Sequence, residues 1–130
     1  MPMTQIEYTV ETSKPFDAAV TAVQEKSAAK GFGVLHTHDV AATLASKGFA
    51  REPLKIIEIC NARYANEALA KDIHLALLLP CPISVYTEQG KTFISAFRPS
   101  AMPQFFPNAG IEAVADAVEN AVLEIVNEAK

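Results

Sequence analysis

The chain has 130 residues, of which half are apolar and a fifth are charged, and its formal net charge is −4. These values are typical of one packed domain over residues 1–130 and exclude a chain that is largely disordered. Lys and Arg do not cluster anywhere in the sequence. Since binding to a nucleic-acid backbone needs a basic surface, we expect no nucleic-acid partner.

The sequence also carries no sign of a membrane or of secretion. Its N-terminal residues lack the basic and apolar regions of a secretory signal. The longest unbroken apolar run, residues 75–80, is too short to cross a bilayer. We therefore expect a cytoplasmic protein with no membrane partner, in which the thiols are reduced.

The first part of the chain predicts a strand, a helix, a second strand and a short helix. Residues 5–11 alternate between polar and apolar side chains, which is typical of a strand with one solvated face. The hydroxyl side chains at residues 12–13 predict a cap for the helix that follows, and Gly31 predicts its end in a left-handed conformation. Residues 33–38 predict the second strand, and residues 39–47 a short helix.

The middle of the chain predicts an apolar strand, a helix and then a run of strands. Residues 54–60 form the apolar strand, and Asn61 predicts an N-cap for a helix that extends to Lys71. Residues 76–79 and 83–87 predict strand segments that are interrupted by a Pro-Cys-Pro sequence. A turn follows, and the next segment, residues 92–97, predicts the returning strand of a hairpin.

Apolar residues recur every three or four positions from Ile111 to Ala129, which predicts a long amphipathic helix at the C-terminus. The predicted order is therefore β-α-β-(α)-β-α-β-β-β-α. Because several strands are joined by short loops, this order predicts an α+β fold, a mainly antiparallel sheet covered on one face by the two long helices. The alternative is a doubly wound parallel sheet, which is harder to combine with consecutive strands that have no helix between them.

The two cysteines, Cys60 and Cys81, provide the main functional lead, because each lies where an apolar run ends. If Asn61 caps a helix, the positive end of that helix would stabilise a Cys60 thiolate and lower its pKa. The other interpretation is a buried and inert cysteine. Cys81 lies between Pro80 and Pro82, which stiffen the backbone and suit either a ligand contact or a packed turn. If the two strands are neighbours, the sulfurs could converge on one hollow. We therefore predict ligand binding around Cys60, Asn61, Pro80 and Cys81.

Charged and imidazole side chains near the cysteines extend the candidate site. Glu58 lies two residues before Cys60, so we expect both on one strand face, where the carboxylate could bind a cation or simply face solvent. His36 and His38 share a face for the same reason. Such a pair can chelate a transition metal if a third ligand is supplied, although solvated histidines without a metal are the simpler interpretation. The candidates for the third ligand are Cys60, Asp39 and His74.

Several segments together resemble the domain-of-unknown-function 302 family, over about Tyr8 to Val126. The segments are ETSKPF (11–16), KGFGVL (30–35), DVAATL (39–44), CN (60–61) and LLLPC (77–81). The resemblance implies a small α+β domain of the TATA-binding-protein-like type, a homodimer, and no established reaction. Two positions depart from the family pattern: Ala62 stands where a proline is usual, and Glu58 stands where small or apolar residues are usual.

Two hypotheses for the function follow. The first is a non-catalytic binding module, a homodimer that holds a small molecule or a metal near Cys60 and Cys81. The second is a thiol-dependent redox or transfer enzyme that uses Cys60, with Cys81 as the resolving cysteine. The first is favoured because the sequence contains no identifiable general base or oxyanion donor. It also contains no nucleophile elbow, Gly-rich phosphate loop or paired carboxylates that would indicate another class of enzyme.

Overall fold

The computed structural model describes residues 5–130 and has a mixed α+β architecture. Its strands are β1 (Glu7–Thr12), β2 (Gly33–Asp39), β3 (Leu54–Cys60), β4 (Cys81–Glu88) and β5 (Lys91–Phe97). Its α-helices are α1 (Phe16–Ala29), α2 (Val40–Ala45), α3 (Ala62–Lys71), α4 (Met102–Phe105) and α5 (Glu112–Ala129). Two 3-10 turns, Ile73–Leu78 and Pro99–Ala101, complete the order.

The five strands form one sheet in the order β1-β5-β4-β3-β2, and every neighbouring pair is antiparallel. The hairpin of β4 and β5 lies at the centre, and the first strand pairs with the last, β5. This arrangement confirms the predicted antiparallel sheet. It differs from the doubly wound alternative, in which the strands would be parallel.

The two long helices cover one face of the sheet, as predicted. Strand side chains on this face, such as Ile57, Ile83 and Ile94, are fully buried. The apolar stripe of α5 packs there as well, with Val122 and Ile125 almost inaccessible to solvent. On the opposite face, the alternation of the strands places Ile56, Glu58, Pro82, Ser84 and Phe97.

One predicted strand is wrong. Residues 76–78 belong to the 3-10 turn Ile73–Leu78 and Leu79 is the cap residue at its end, so none of residues 76–79 lies in a strand. The turn starts at Asp72, whose carboxylate accepts a hydrogen bond from the His74 N–H at 2.9 Å. A short run of apolar residues fits a buried helical turn as well as a strand, so periodicity alone could not separate the two.

The helix ends agree with the sequence in two places and differ in one. Gly31 has φ +80°, as a left-handed end to α1 requires, and Asn61 caps α3. The hydroxyl cap predicted for α1 is absent, because Pro15 occupies the cap position. The Thr12 hydroxyl instead accepts a hydrogen bond from the Lys14 N–H at 3.1 Å. Within residues 5–130, no helix has the length and apolar character needed to cross a membrane.

Candidate functional site

Cys60 and Cys81 lie at the same end of the sheet. Strands β3 and β4 are neighbours, and Ile59 lies opposite Cys81. Cys60, the residue after Ile59, is therefore offset from Cys81 by one residue along the paired strands. Both cysteines line one hollow of about 40 Å³, which we call the thiol cavity.

The thiol cavity lies between this end of the sheet and helices α3 and α5. Its interior is formed by buried apolar side chains, among them Phe32, Ile59 and Met102. Small residues on the helices, including Ala68 and Ala115, leave the space open. The lining residues that remain partly exposed, and so mark its mouth, are Cys60, Asn61, Tyr64, Ala65 and Leu79.

The size and lining of the cavity restrict what it can hold. A water molecule needs about 10–15 Å³ of such space and two to four polar partners, whereas an apolar cavity stays dry. The thiol cavity has the space but few polar partners. It therefore suits a small apolar group better than either water or a ligand of drug size.

Both thiols are free, and burial acts on each of them. Burial raises the pKa of Cys81 to about 11, and its electrostatic interaction with Cys60 adds to the shift. Burial also raises the pKa of Cys60 above its ordinary value. The thiolate that the sequence suggested at the start of α3 is therefore not favoured, and both groups are protonated near neutral pH.

Asn61, the residue after Cys60, caps α3. Its side-chain oxygen accepts a hydrogen bond from the Tyr64 N–H at 3.1 Å, so it satisfies one of the backbone N–H groups that are left free at the start of a helix. Its amide nitrogen donates to the Gly31 carbonyl at 3.1 Å. Asn61 thereby connects the end of α1 to the start of α3 at the mouth of the thiol cavity.

The remaining predicted ligand-binding residues lie elsewhere. Glu58 and Pro80 line a groove of about 430 Å³, which we call the open-face groove. Its other lining residues include His38, Ile56 and Phe97. The predicted site is thus divided: Cys60, Asn61 and Cys81 line the thiol cavity, whereas Glu58 and Pro80 line the groove.

The two strand histidines lie together, as their spacing predicted. The ring centroids of His36 and His38 are 4.4 Å apart. Glu58, which lies opposite His36 on β3, places its carboxylate Oε1 2.6 Å from His38 Nε2. Sequence reasoning missed this cross-strand pair because it depends on the register of β2 and β3.

None of the three proposed third metal ligands joins the histidines. Asp39 caps α2 by accepting a hydrogen bond from the Ala42 N–H at 2.9 Å, and His74 pairs with Asp72 at 3.0 Å. Cys60 lines the thiol cavity instead. In the described part of the chain, no three His, Cys, Asp or Glu side chains are grouped so that they could hold a metal.

The alanines of α3 and α5 are functional candidates that sequence reasoning missed. Ala65 and Ala68 of α3 and Ala115 of α5 all line the thiol cavity. Ala65 and Ala68 are three residues apart on α3, so the sequence indicates that part of one face of this helix carries small side chains. The partner surface on α5 is distant in sequence, so the cavity itself could not be predicted.

The fold and the comparisons with known proteins place the chain in one family. The sequence model of the family described as "Domain of unknown function DUF302" matches residues 8–129, so the chain belongs to this family. A similar solved structure is the crystal structure of an uncharacterised conserved DUF302 protein from Bacillus stearothermophilus. It has 26% sequence identity and a TM-score of 0.90, over 95% of this chain and 98% of that chain. No curated protein matches this chain significantly.

Proposed function

We propose that the protein is a non-catalytic binding module that takes a small apolar molecule, or the apolar end of a larger one, into the thiol cavity. The observation that carries this proposal is an apolar hollow lined by both cysteines, whose pKa values burial raises. Protonated thiols are small, polarizable and weakly polar, so they suit contact with an apolar group.

The energetics favour such a ligand. Burying one methylene group is worth about 0.8 kcal/mol, and the buried walls of the cavity present little polar surface that a ligand would have to desolvate. The partly exposed residues Cys60, Asn61 and Ala65 would admit the group from one side. The rest of a larger ligand would remain outside, because the cavity of about 40 Å³ has room for only a small group.

The alternative, a thiol-dependent redox or transfer enzyme, has less support. Such chemistry requires a thiolate, and enzymes that use it lower the pKa of the reacting cysteine. Here burial raises the pKa of both Cys60 and Cys81. We therefore retain the binding module as the proposal.

We also propose that the module acts as a homodimer, as the family resemblance implies. Large apolar side chains remain exposed on the isolated chain, among them Leu35, Leu77 and Phe105. Their burial in a second copy would contribute to association. Light scattering at micromolar concentration should give twice the 14.0 kDa of one chain. A strictly monomeric species would contradict this part of the proposal.

A series of linear alcohols, from ethanol to hexanol, tests the binding proposal. The probes differ only in the number of methylene groups, and binding is followed by backbone amide NMR shifts near Cys60 and Cys81. Each methylene that enters the cavity should strengthen binding about fourfold, which corresponds to about 0.8 kcal/mol. The gain should stop once the cavity is filled.

Two variants of α3 provide the controls. Ala65→Leu adds volume at the mouth of the thiol cavity and should abolish the dependence on chain length. Ala70→Leu makes the same substitution at an exposed position of the same helix, outside the cavity, and should leave it unchanged. A flat response in the unmodified protein, or equal responses in the two variants, would contradict the proposal.

A further inference from the structure

The pairing of His38 with Glu58 determines which ring nitrogen of this histidine has a lone pair available to bind a ligand. A carboxylate only accepts hydrogen bonds, so the Nε2 atom, 2.6 Å from Glu58 Oε1, carries the proton. In the neutral ring, the lone pair then lies on Nδ1. Metal-binding histidines commonly have this arrangement, in which a carboxylate holds one nitrogen and leaves the other for the metal.

The second histidine lies at a suitable distance. The centroids of His36 and His38 are 4.4 Å apart, and their planes are inclined by 71°. With metal–nitrogen bonds of about 2.0 Å, two imidazoles bound at a right angle have centroids about 4.5 Å apart. A tetrahedral angle would require about 5 Å. The observed separation of the two centroids is close to that of two ligands at a right angle, as in tetragonal or octahedral coordination.

We propose that His36 and His38 form a binding site for a divalent transition metal ion, with Glu58 as the carboxylate that orients His38. Imidazole nitrogen suits zinc, copper, iron and nickel, and ligands at a right angle favour Ni²⁺ or Cu²⁺ over the tetrahedral preference of Zn²⁺. Water would occupy the other coordination positions. The His38 side chain is 48% exposed, so an ion can reach the pair from solvent.

The site is separate from the thiol cavity. His38 and Glu58 line the open-face groove, and Cys60 and Cys81 line the thiol cavity. Ligand binding in the cavity and metal binding at the histidines can therefore be tested independently. Failure of one would leave the other unaffected.

Calorimetric titration of the whole chain with Ni²⁺, in a buffer that does not bind metal, tests the proposal. Ni²⁺ is a suitable probe because it does not oxidise thiols. We expect one site per chain. His36→Ala and His38→Ala should each weaken binding at least about tenfold, and Glu58→Gln should weaken it by about 10- to 100-fold, as is usual for an outer carboxylate.

His74 supplies a matched control, because it is also an exposed histidine paired with a carboxylate, that of Asp72, at 3.0 Å. His74→Ala should change the affinity less than about twofold. In the unmodified protein, paramagnetic broadening by Ni²⁺ should affect the ring signals of His36 and His38 before those of His74. Broadening of all three histidines together, unchanged binding in His36→Ala, or no saturable binding at all would overturn the proposal.

Discussion

Cys81 and Cys60 differ in depth within the same cavity, and this difference determines how each should react. Cys81 is buried, with its pKa raised to about 11, whereas Cys60 is partly exposed at the mouth. Since only the thiolate is nucleophilic, both should be poor nucleophiles at neutral pH.

Alkylation with iodoacetamide between pH 5 and 9 measures this property. Cys60 should react more slowly than a free thiol across the range, because its pKa is raised, and Cys81 should remain unmodified in the folded protein. A Cys60→Ser variant isolates Cys81, and mass spectrometry counts the adducts. Rapid reaction of Cys60 at pH 6 would favour the redox or transfer enzyme instead.

Glu119 of α5 is the most buried charged residue of the described chain, with 8% exposure, and it has two specific partners. Arg98 Nη2 donates to Glu119 Oε2 at 2.9 Å, and the Ser100 N–H donates to Oε1 at 3.0 Å. Burial alone would raise the pKa of Glu119. The hydrogen bonds from Arg98 and Ser100, and the charge of Arg98, outweigh burial and lower it below its ordinary value of 4.5.

Because its pKa is lowered in the folded protein, ionised Glu119 stabilises the fold at pH values above its ordinary pKa of 4.5. This stabilisation is lost as the pH falls through the lower pKa of the folded state. Glu119→Gln should therefore reduce the free energy of unfolding by about 2 kcal/mol at pH 7. The difference from the unmodified protein should shrink near pH 3. Urea denaturation at both pH values measures it, with Glu67→Gln, at an exposed position of α3, as a control. An equal difference at the two pH values would contradict the assignment.

At the scale of elements, α3 depends on Asn61 at its first turn. The side chain caps the helix and also donates to the Gly31 carbonyl at the end of α1. Asn61→Ala removes both contacts and should cost about 1 kcal/mol. Asn61→Asp keeps the cap but cannot donate to Gly31.

Thermal unfolding of the two variants separates the contacts. If the cap matters most, Asn61→Asp should be nearly as stable as the unmodified protein and Asn61→Ala should be destabilised. If both variants are destabilised equally, the link to Gly31 is the more important contact. Full stability of Asn61→Ala would contradict the role of Asn61 in positioning α3.

Elements with a strong local signal could be predicted from the sequence, and those without one could not. Helix α5 follows from its apolar stripe, and the ends at Gly31 and Asn61 follow from the preferences of those residues. The 3-10 turn of residues 73–78 overlaps the strand that the sequence predicts for residues 76–79, because its leucines have no clear period and the turn depends on capping by Asp72.

At the scale of the whole molecule, the sequence predicted that the two long helices cover one face of the sheet, but it could not locate the sites. The opposition of Ile59 to Cys81 brings the cysteines together, and the opposition of His36 to Glu58 joins the imidazole and carboxylate side chains. Both depend on strand register, which is set by contacts between residues far apart in the chain. The two-residue spacing of Glu58 and Cys60 therefore predicted a single site. In the fold, Cys60 lines the thiol cavity and Glu58 lines the open-face groove.

The binding of xenon to the thiol cavity tests the central claim most directly, since xenon enters dry apolar cavities without needing a polar partner. Methyl NMR spectra of the protein under xenon pressure should show shifts confined to residues that line the cavity, such as Ala65, Ala68 and Ala115. The shifts should persist in Ala70→Leu and disappear in Ala65→Leu. Their absence from the unmodified protein, or their persistence in Ala65→Leu, would contradict the claim that this cavity receives an apolar ligand.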